Sequence, residues 1–246
     1  MLDRSKIAMC VFWLVVAGSF AAVTVMLFSY TPVEETMGRI QKIFYVHLPS
    51  AINAFAACLV AFVGGIGYLW QRRMMWDHLS ASAAKMAALM CTVVLVTGVI
   101  WGRVAWGVWW TWSPRLTFSL MLWLLYVVYL IIRPAIESPE RRATISAVYA
   151  VAAFLDVPLV WLSVRLMPDI HPASIQMTGA MKLTLVAWFV PVTLLNAGMI
   201  WVLFKSSSRQ WARKQSWTDD SSWAVGGDEN TDPAEQAESQ SSQDGA

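Results

Sequence analysis

Six predominantly apolar stretches, 7–28, 43–70, 83–101, 118–132, 143–164 and 183–204, divide the chain. A helix needs about 20 such residues to cross the hydrocarbon core of a bilayer. The fourth stretch is short, and the tryptophan-rich residues before it extend it through the interface. Only 14% of the 246 residues are charged, against about 25% in an ordinary soluble domain. The sequence therefore predicts an all-α polytopic integral membrane protein with six transmembrane helices. No small-residue cleavage site follows the first stretch, so it reads as a retained span rather than a signal peptide.

An even number of spans puts both termini on one side, and Lys and Arg favour the cytoplasm. With the termini inside, the inner segments hold twelve of the 18 cations and the outer ones six: Arg39, Lys42, Arg103, Arg115, Arg165 and Lys182. The expected topology has both termini cytoplasmic. It leaves an outer side richer in cations than the rule alone requires, which calls for an anionic ligand. The net charge of +2 and the lack of a basic stripe give no reason to expect nucleic acid. Cys10, Cys58 and Cys91 all lie in apolar runs and form no disulfide framework, and no CxxCH is present.

Smaller features fill out the plan. Gly64, Gly65 and Gly67 read as a close-approach face for a neighbouring helix. Residues 30–42 read as a short solvated connector, 133–142 as a charged inner turn, and Pro191 as a kink in the sixth helix. Asp156, inside the fifth run, is a functional suspect because acids are costly there. A membrane domain is expected over 1–205. The Ser-, Gln- and acid-rich residues 206–246 are expected to form a disordered cytoplasmic tail, with Trp211, Trp217 and Trp223 available to the membrane surface.

Between the third and fourth runs, residues 101–117 read WGRVAWGVWWTWSPRLT. Five indoles offer flat π-faces, each with one N–H donor. Gly102 and Gly107 permit sharp turns and close approach of the backbone, and Arg103 and Arg115 could neutralise carboxylates. A single tryptophan at such a boundary would read as an interfacial belt residue. Five in so short a segment suit a flat, amphipathic, aromatic ligand, and haem with its two propionates fits. Only three histidines exist. His47 and His171 fall on the outer side with this segment, and His78 falls on the inner side with Arg72 and Arg73. Neutral imidazole is a good iron ligand, and two on one face could hold iron from opposite sides of the ring.

The segment resembles the WWD signature of the CcmC family of haem-handling proteins in cytochrome c maturation, relatives of the CcsA-type proteins. Trp101, Gly102, Trp106, Gly107, Trp109, Trp110, Trp112, Arg115, Leu116 and Thr117 match it, and Ser113 replaces its Asp. The family's YxHxP motif falls on Tyr45, His47 and Pro49. Its PxVxxSVxxxxxxHP motif falls on Pro158, Val160, Ser163, Val164, His171 and Pro172. The resemblance thus covers most of residues 44–204.

It implies haem b on the outer face of the bacterial cytoplasmic membrane, with His47 and His171 as axial ligands and the WWD residues as platform. It also implies delivery of that haem to the periplasmic chaperone CcmE, beside CcmD and the ABC-type pair CcmA and CcmB, by a transport factor rather than an ordinary enzyme. The rival readings are a CcsA-like subunit of a cytochrome c synthetase and an electron-transfer cytochrome b. The first would have more spans, and the second would have histidines paired at mid-membrane depth.

Overall fold

The computed structural model describes residues 4–166 and 177–226. Its centre is the antiparallel pair α2 (Phe44–Gln71) and α3 (Met74–Trp106), joined by Arg72 and Arg73 alone. Arg72 ends α2 in the left-handed region at φ 54°, its N–H donating to Tyr68 O at 2.8 Å. That ending usually falls to glycine. Here the guanidinium lies 5.8 Å from the Tyr68 ring centre and donates to Thr144 Oγ1 at 3.1 Å, which holds the turn.

The two helices are close because the residues packed in the core between them are small. Ala54, Ala57, Ala61, Ala83, Ala84 and Ala87 are all at most 2% exposed. A Cβ on Gly64 would stand 2.8 Å from Ser80 N, and one on Gly65 would stand 2.9 Å from Ala147 O. One on Gly67 would stand 2.5 Å from the Trp76 ring. This is the close-approach face that the glycine spacing predicts. Polar side chains tie the packed helices: Ser80 Oγ donates to Ala61 O at 2.9 Å, and Asn196 Nδ2 donates to Asn53 O at 3.2 Å.

Around this pair stand α1 (Arg4–Ser29), α4 (Pro114–Ile132), α5 (Pro139–Phe154), α6 (Asp156–Leu166) and α7 (Gly179–Gly226). Six helical stretches are long and apolar enough to cross a membrane: Arg4–Ser29, Arg39–Gln71, Met74–Trp106, Pro114–Ala135, Pro139–Ser163 and Gly179–Trp217. No strand occurs among the described residues, so the chain is the all-α polytopic membrane protein that its hydropathy predicts. α1 buries only Val16, Val23 and Leu27. It seats its Phe12 ring against Gly198 of α7, where a Cβ would lie 2.5 Å from that ring. The chain falls into two compact units, Met1–Phe204 and Lys205–Ala246.

The structure departs from the sequence expectation in several places. The fifth crossing is two helices rather than one run over 143–164, broken at Leu155. Pro158 explains the break: it has no N–H for the carbonyl of Phe154, and its ring crowds that carbonyl. The tryptophan-rich residues extend the third crossing rather than the fourth, since α3 runs on to Trp106 and α4 begins at Pro114. The connector 30–42 is no simple solvated loop. It ends in a 3₁₀ turn at Arg39–Ile43, buries Gln41 and Thr31, and joins Thr31 Oγ1 to Thr184 Oγ1 at 2.8 Å.

Helix α7 continues unbroken in secondary structure past Pro191. It also continues to Gly226, where composition predicts a disordered tail from residue 206. Lengthening an existing helix avoids the nucleation cost that an isolated polar segment faces. Residues from 227 onward, the rest of that expected tail, lie outside the described residues.

At the end of the bundle where α2 meets α3, the charged turn is more than a turn. Arg133, in a second 3₁₀ turn at Arg133–Ala135, donates from Nη1 to Asp77 Oδ1 at 2.7 Å and from Nη2 to Asp77 Oδ2. Asp77 is 2% exposed and the Arg133 side chain 15%. The forked pair fastens the start of α3 to the end of α4, with the carboxylate in the first turn of α3, where the helix dipole favours it.

Candidate functional site

At the opposite end of the bundle, α2, α3, α4 and α6 open into a cavity of about 380 Å³. That lies within the range of small-molecule sites, roughly 300–1,000 Å³. His47, Trp101, Trp106, Trp110 and Arg115 all line it, together with Gly98 and a floor of Ala54, Cys91, Leu122 and Val160. Side chains 68 residues apart in sequence, His47 to Arg115, therefore converge on one space.

His47 sits in the first turn of α2, and its Nδ1 lies 2.9 Å from Thr97 Oγ1 on α3. The Thr97 hydroxyl donates its one hydrogen back to its own helix, to Val93 O at 2.6 Å. It must therefore accept from His47, so Nδ1 carries the proton and the ring's lone pair is on Nε2. A metal-ligating histidine is usually oriented by this kind of partner on its other nitrogen. Gly98 completes the seat: a Cβ there would stand 3.3 Å from His47 Cε1. Neither Thr97 nor Gly98 stands out in the sequence. Their one signal is a threonine–glycine step inside an apolar run, one turn before Trp101.

The tryptophan segment divides into an inner and an outer set. The rings of Trp101 and Trp106 meet edge to face, with centroids 5.1 Å apart. Gly102 makes this possible, because a Cβ on it would lie 3.1 Å from the Trp106 ring. Gly107 ends α3 with φ 75° and donates its N–H to Arg103 O at 3.1 Å, a left-handed cap that suits glycine. Gly102 and Gly107 thus shape the backbone and do not line the cavity. Trp109 and Trp112 are 61% and 76% exposed and are not among the residues lining it. Arg103 is engaged locally, donating to Gly107 O and lying 5.7 Å from the Trp109 ring centre.

Three polar groups of the segment, Trp110 Nε1, Thr111 Oγ1 and Ser113 Oγ, are buried with no hydrogen-bond partner among the described residues. Ser113 is the N-cap residue of α4, yet its side chain makes no cap bond. Buried polar groups are normally paired. Of these residues Trp110 lines the cavity, as does the half-buried Arg115, so an indole N–H donor and a guanidinium stand at a space suited to acceptor oxygens, carboxylates above all. Ser113, standing where the WWD signature carries Asp, is not among the residues lining the cavity, and it places no fixed negative charge two residues before Arg115.

Two sequence candidates lie elsewhere. His171 falls outside the described residues. Asp156 opens α6 one turn from Val160, 3% exposed, with no partner for either carboxyl oxygen among the described residues. His78 is 8% exposed at the far end of α3 and forms no part of this cavity.

The model of the family described as heme exporter protein C, CcmC, matches residues 2–219. The proteins named heme exporter protein C from three bacteria are similar to the chain. That of Paracoccus denitrificans is 36% identical over 141 residues, 55% of this chain and 57% of its own. That of Rhodobacter capsulatus is 39% identical over 125 residues, 49% and 50% of the two chains. That of Escherichia coli is 30% identical over 153 residues, 61% of each. The chain thus spans only about half to three-fifths of these relatives' length, whereas the family model runs through all six crossings. The chain belongs to the CcmC family.

Proposed function

We propose that the chain binds haem b at this cavity and hands it on for the assembly of c-type cytochromes. The observation that carries the reading is the seat of His47. Its proton is fixed on Nδ1 by Thr97, its Nε2 lone pair is suited to iron, and its ring lies in a cavity walled by Trp101, Trp106 and Trp110 with Arg115 on the rim. The indoles supply flat faces for the macrocycle, and the Arg115 guanidinium with the Trp110 N–H suits propionates. The resemblance in sequence assigns the second axial position to His171.

In this reading the site faces the periplasm, the termini are cytoplasmic, and the chain resides in the bacterial inner membrane. The recipient is the chaperone CcmE, with CcmD and the CcmA–CcmB pair as neighbours. Haem is cargo here. The chain's part is to position it and shield it, while the recipient provides the bond-forming residue. An electron-transfer cytochrome b would place its ligands at mid-depth, whereas His47 stands in the first turn of its helix.

The test is the visible spectrum of the detergent-purified protein loaded with haem. Wild type is expected to show a low-spin signature, which His47→Ala and His171→Ala each weaken and the double variant lacks. A wild-type protein that binds no haem, or whose spectrum ignores both changes, overturns the reading.

Thr97→Val refines it. Valine keeps the shape and removes the acceptor for Nδ1–H. Loss of such a partner typically costs about 10–100-fold in metal affinity. Haem affinity is expected to fall within that range while the fold is retained. An unchanged affinity would show that Thr97 does not orient the ring.

A further inference from the structure

A second cavity, of about 680 Å³, opens beside the first at the same end of the bundle. Ile43 lines both. The second is walled by Leu27 and Phe28 of α1, Val46 of α2 and Trp188 of α7, and Arg39 and Lys42 stand on it from the 3₁₀ turn. Its chemistry is graded. Two cations hold the loop end, and apolar side chains line the rest.

Trp188 gives the second, independent observation. It is 6% exposed, and its Nε1–H has no acceptor among the described residues. An indole nitrogen can only donate, and at membrane depth no bulk water answers an unpaired donor. The bond between Thr31 and Thr184 fixes the depth of this group. Trp188 lies four residues further along α7, about 6 Å below Thr184 at 1.5 Å per residue. Lys42 Nζ reaches the carbonyl of Leu27 at 2.7 Å and lies 5.0 Å from the Phe28 ring centre. An ammonium has three donors, so capping α1 leaves it capacity for an anion. Arg39 is solvent-exposed beside it. The neighbouring Glu34 carboxylate is turned to the N–H groups of Thr36 and Met37.

We propose that this groove is a binding site for one anionic phospholipid. Its phosphate lies between Arg39 and Lys42, an ester carbonyl accepts from Trp188 Nε1, and its acyl chains run along Leu27 and Val46. A phosphate and an ester carbonyl in one glycerophospholipid are separated by a few bonds, which matches cations at the loop and a donor about one helical turn deeper. Phe28 and Thr24 are exposed on the α1 side, so the groove is open to lipid. The site stands independently of the haem reading.

The test uses the full chain in phospholipid-free detergent, titrated with dioleoyl phosphatidylglycerol and followed by native mass spectrometry. Wild type is expected to take up one lipid more tightly than any other. Arg39→Gln with Lys42→Gln is expected to weaken that first binding about thirtyfold, at about fivefold per cation near an anionic headgroup. Trp188→Phe, which loses one hydrogen bond, is expected to weaken it about fivefold. Arg39→Gln alone removes no side-chain hydrogen bond among the described residues, so it reads the anion contact separately from the bond of Lys42 Nζ to Leu27 O. Haem retention is expected to be unchanged throughout. Equal lipid affinity in all variants overturns the proposal. So does competition by glycerol phosphate alone, which would make the groove a free-phosphate site. So does a fall in haem retention with lipid binding intact, which would assign the groove to haem.

Discussion

Asp77→Ala is expected to destabilise the protein by about 3–5 kcal/mol, the usual result of leaving one partner of a buried ion pair alone. Arg133 would keep its charge in a site only 15% exposed, with both of its carboxylate bonds gone. The loss is expected as a lower half-denaturing SDS concentration and a shorter lifetime of the monodisperse peak at 40 °C. The double variant Asp77→Leu/Arg133→Met separates loss of a charge partner from loss of packing. Replacing both ions by apolar groups of similar size is often neutral or stabilising, so the double variant is expected to recover most of the deficit. If it is no better than Asp77→Ala, the pair is not what holds α3 to the end of α4. Haem binding at the other end of the bundle is expected to survive in the folded fraction of both.

Gly64→Val is the second large effect. The Cβ alone would stand 2.8 Å from Ser80 N and 3.0 Å from Ser80 Cα, and neither is the mobile end of a side chain. α2 and α3 would have to separate, losing the alanine-to-alanine packing that runs along them. Overpacking of this kind typically costs about 1–3 kcal/mol, and two further methyls on a backbone contact place the result at the upper end or beyond. Gly18→Val is the control, since nothing lies within 4 Å of a Cβ at Gly18. Thermal unfolding in detergent is expected to shift strongly for the first variant and little for the second. Equal shifts would mean that the cost is valine's helix propensity rather than contact with Ser80.

The six crossings were legible because lipid imposes a single length and a single composition on each of them. The glycine face on α2 was legible for a related reason: small residues at helical spacing in an apolar run have few uses other than close approach. The break at Leu155 was harder to see, although Pro158 stood in plain view. A proline near a helix start is harmless and one in the interior is not, and hydropathy alone does not say which case applies. The clamp between Asp77 and Arg133 was invisible, because it joins residues 56 positions apart that each read as ordinary loop charge.

At the candidate site, His47, Arg115 and the tryptophan cluster were legible from composition, and the family motifs sharpened them. The division of the indoles into Trp101, Trp106 and Trp110 lining the cavity, and Trp109 and Trp112 exposed outside its lining, was not. It follows from where α3 ends at Gly107 and α4 begins at Pro114, and element ends are poorly fixed by sequence. Thr97 was missed for a different reason. Its part depends on which way a hydroxyl hydrogen points, and that is decided by a carbonyl on its own helix and an imidazole on another.

The interruption at Leu155 makes the fifth crossing two rods in series, each with a separate duty. The first rod, α5, is locked into the bundle through Ala147 against Gly65. The second, α6, carries Val160 and Trp161 into the cavity wall. At the joint the proline withholds one backbone bond, that to the carbonyl of Phe154. The wall of the cavity and the seam of the bundle therefore draw on different rods. The residues that bound the space around a guest and those that close the glycine-tight seam between α2 and α5 stand on opposite sides of Leu155.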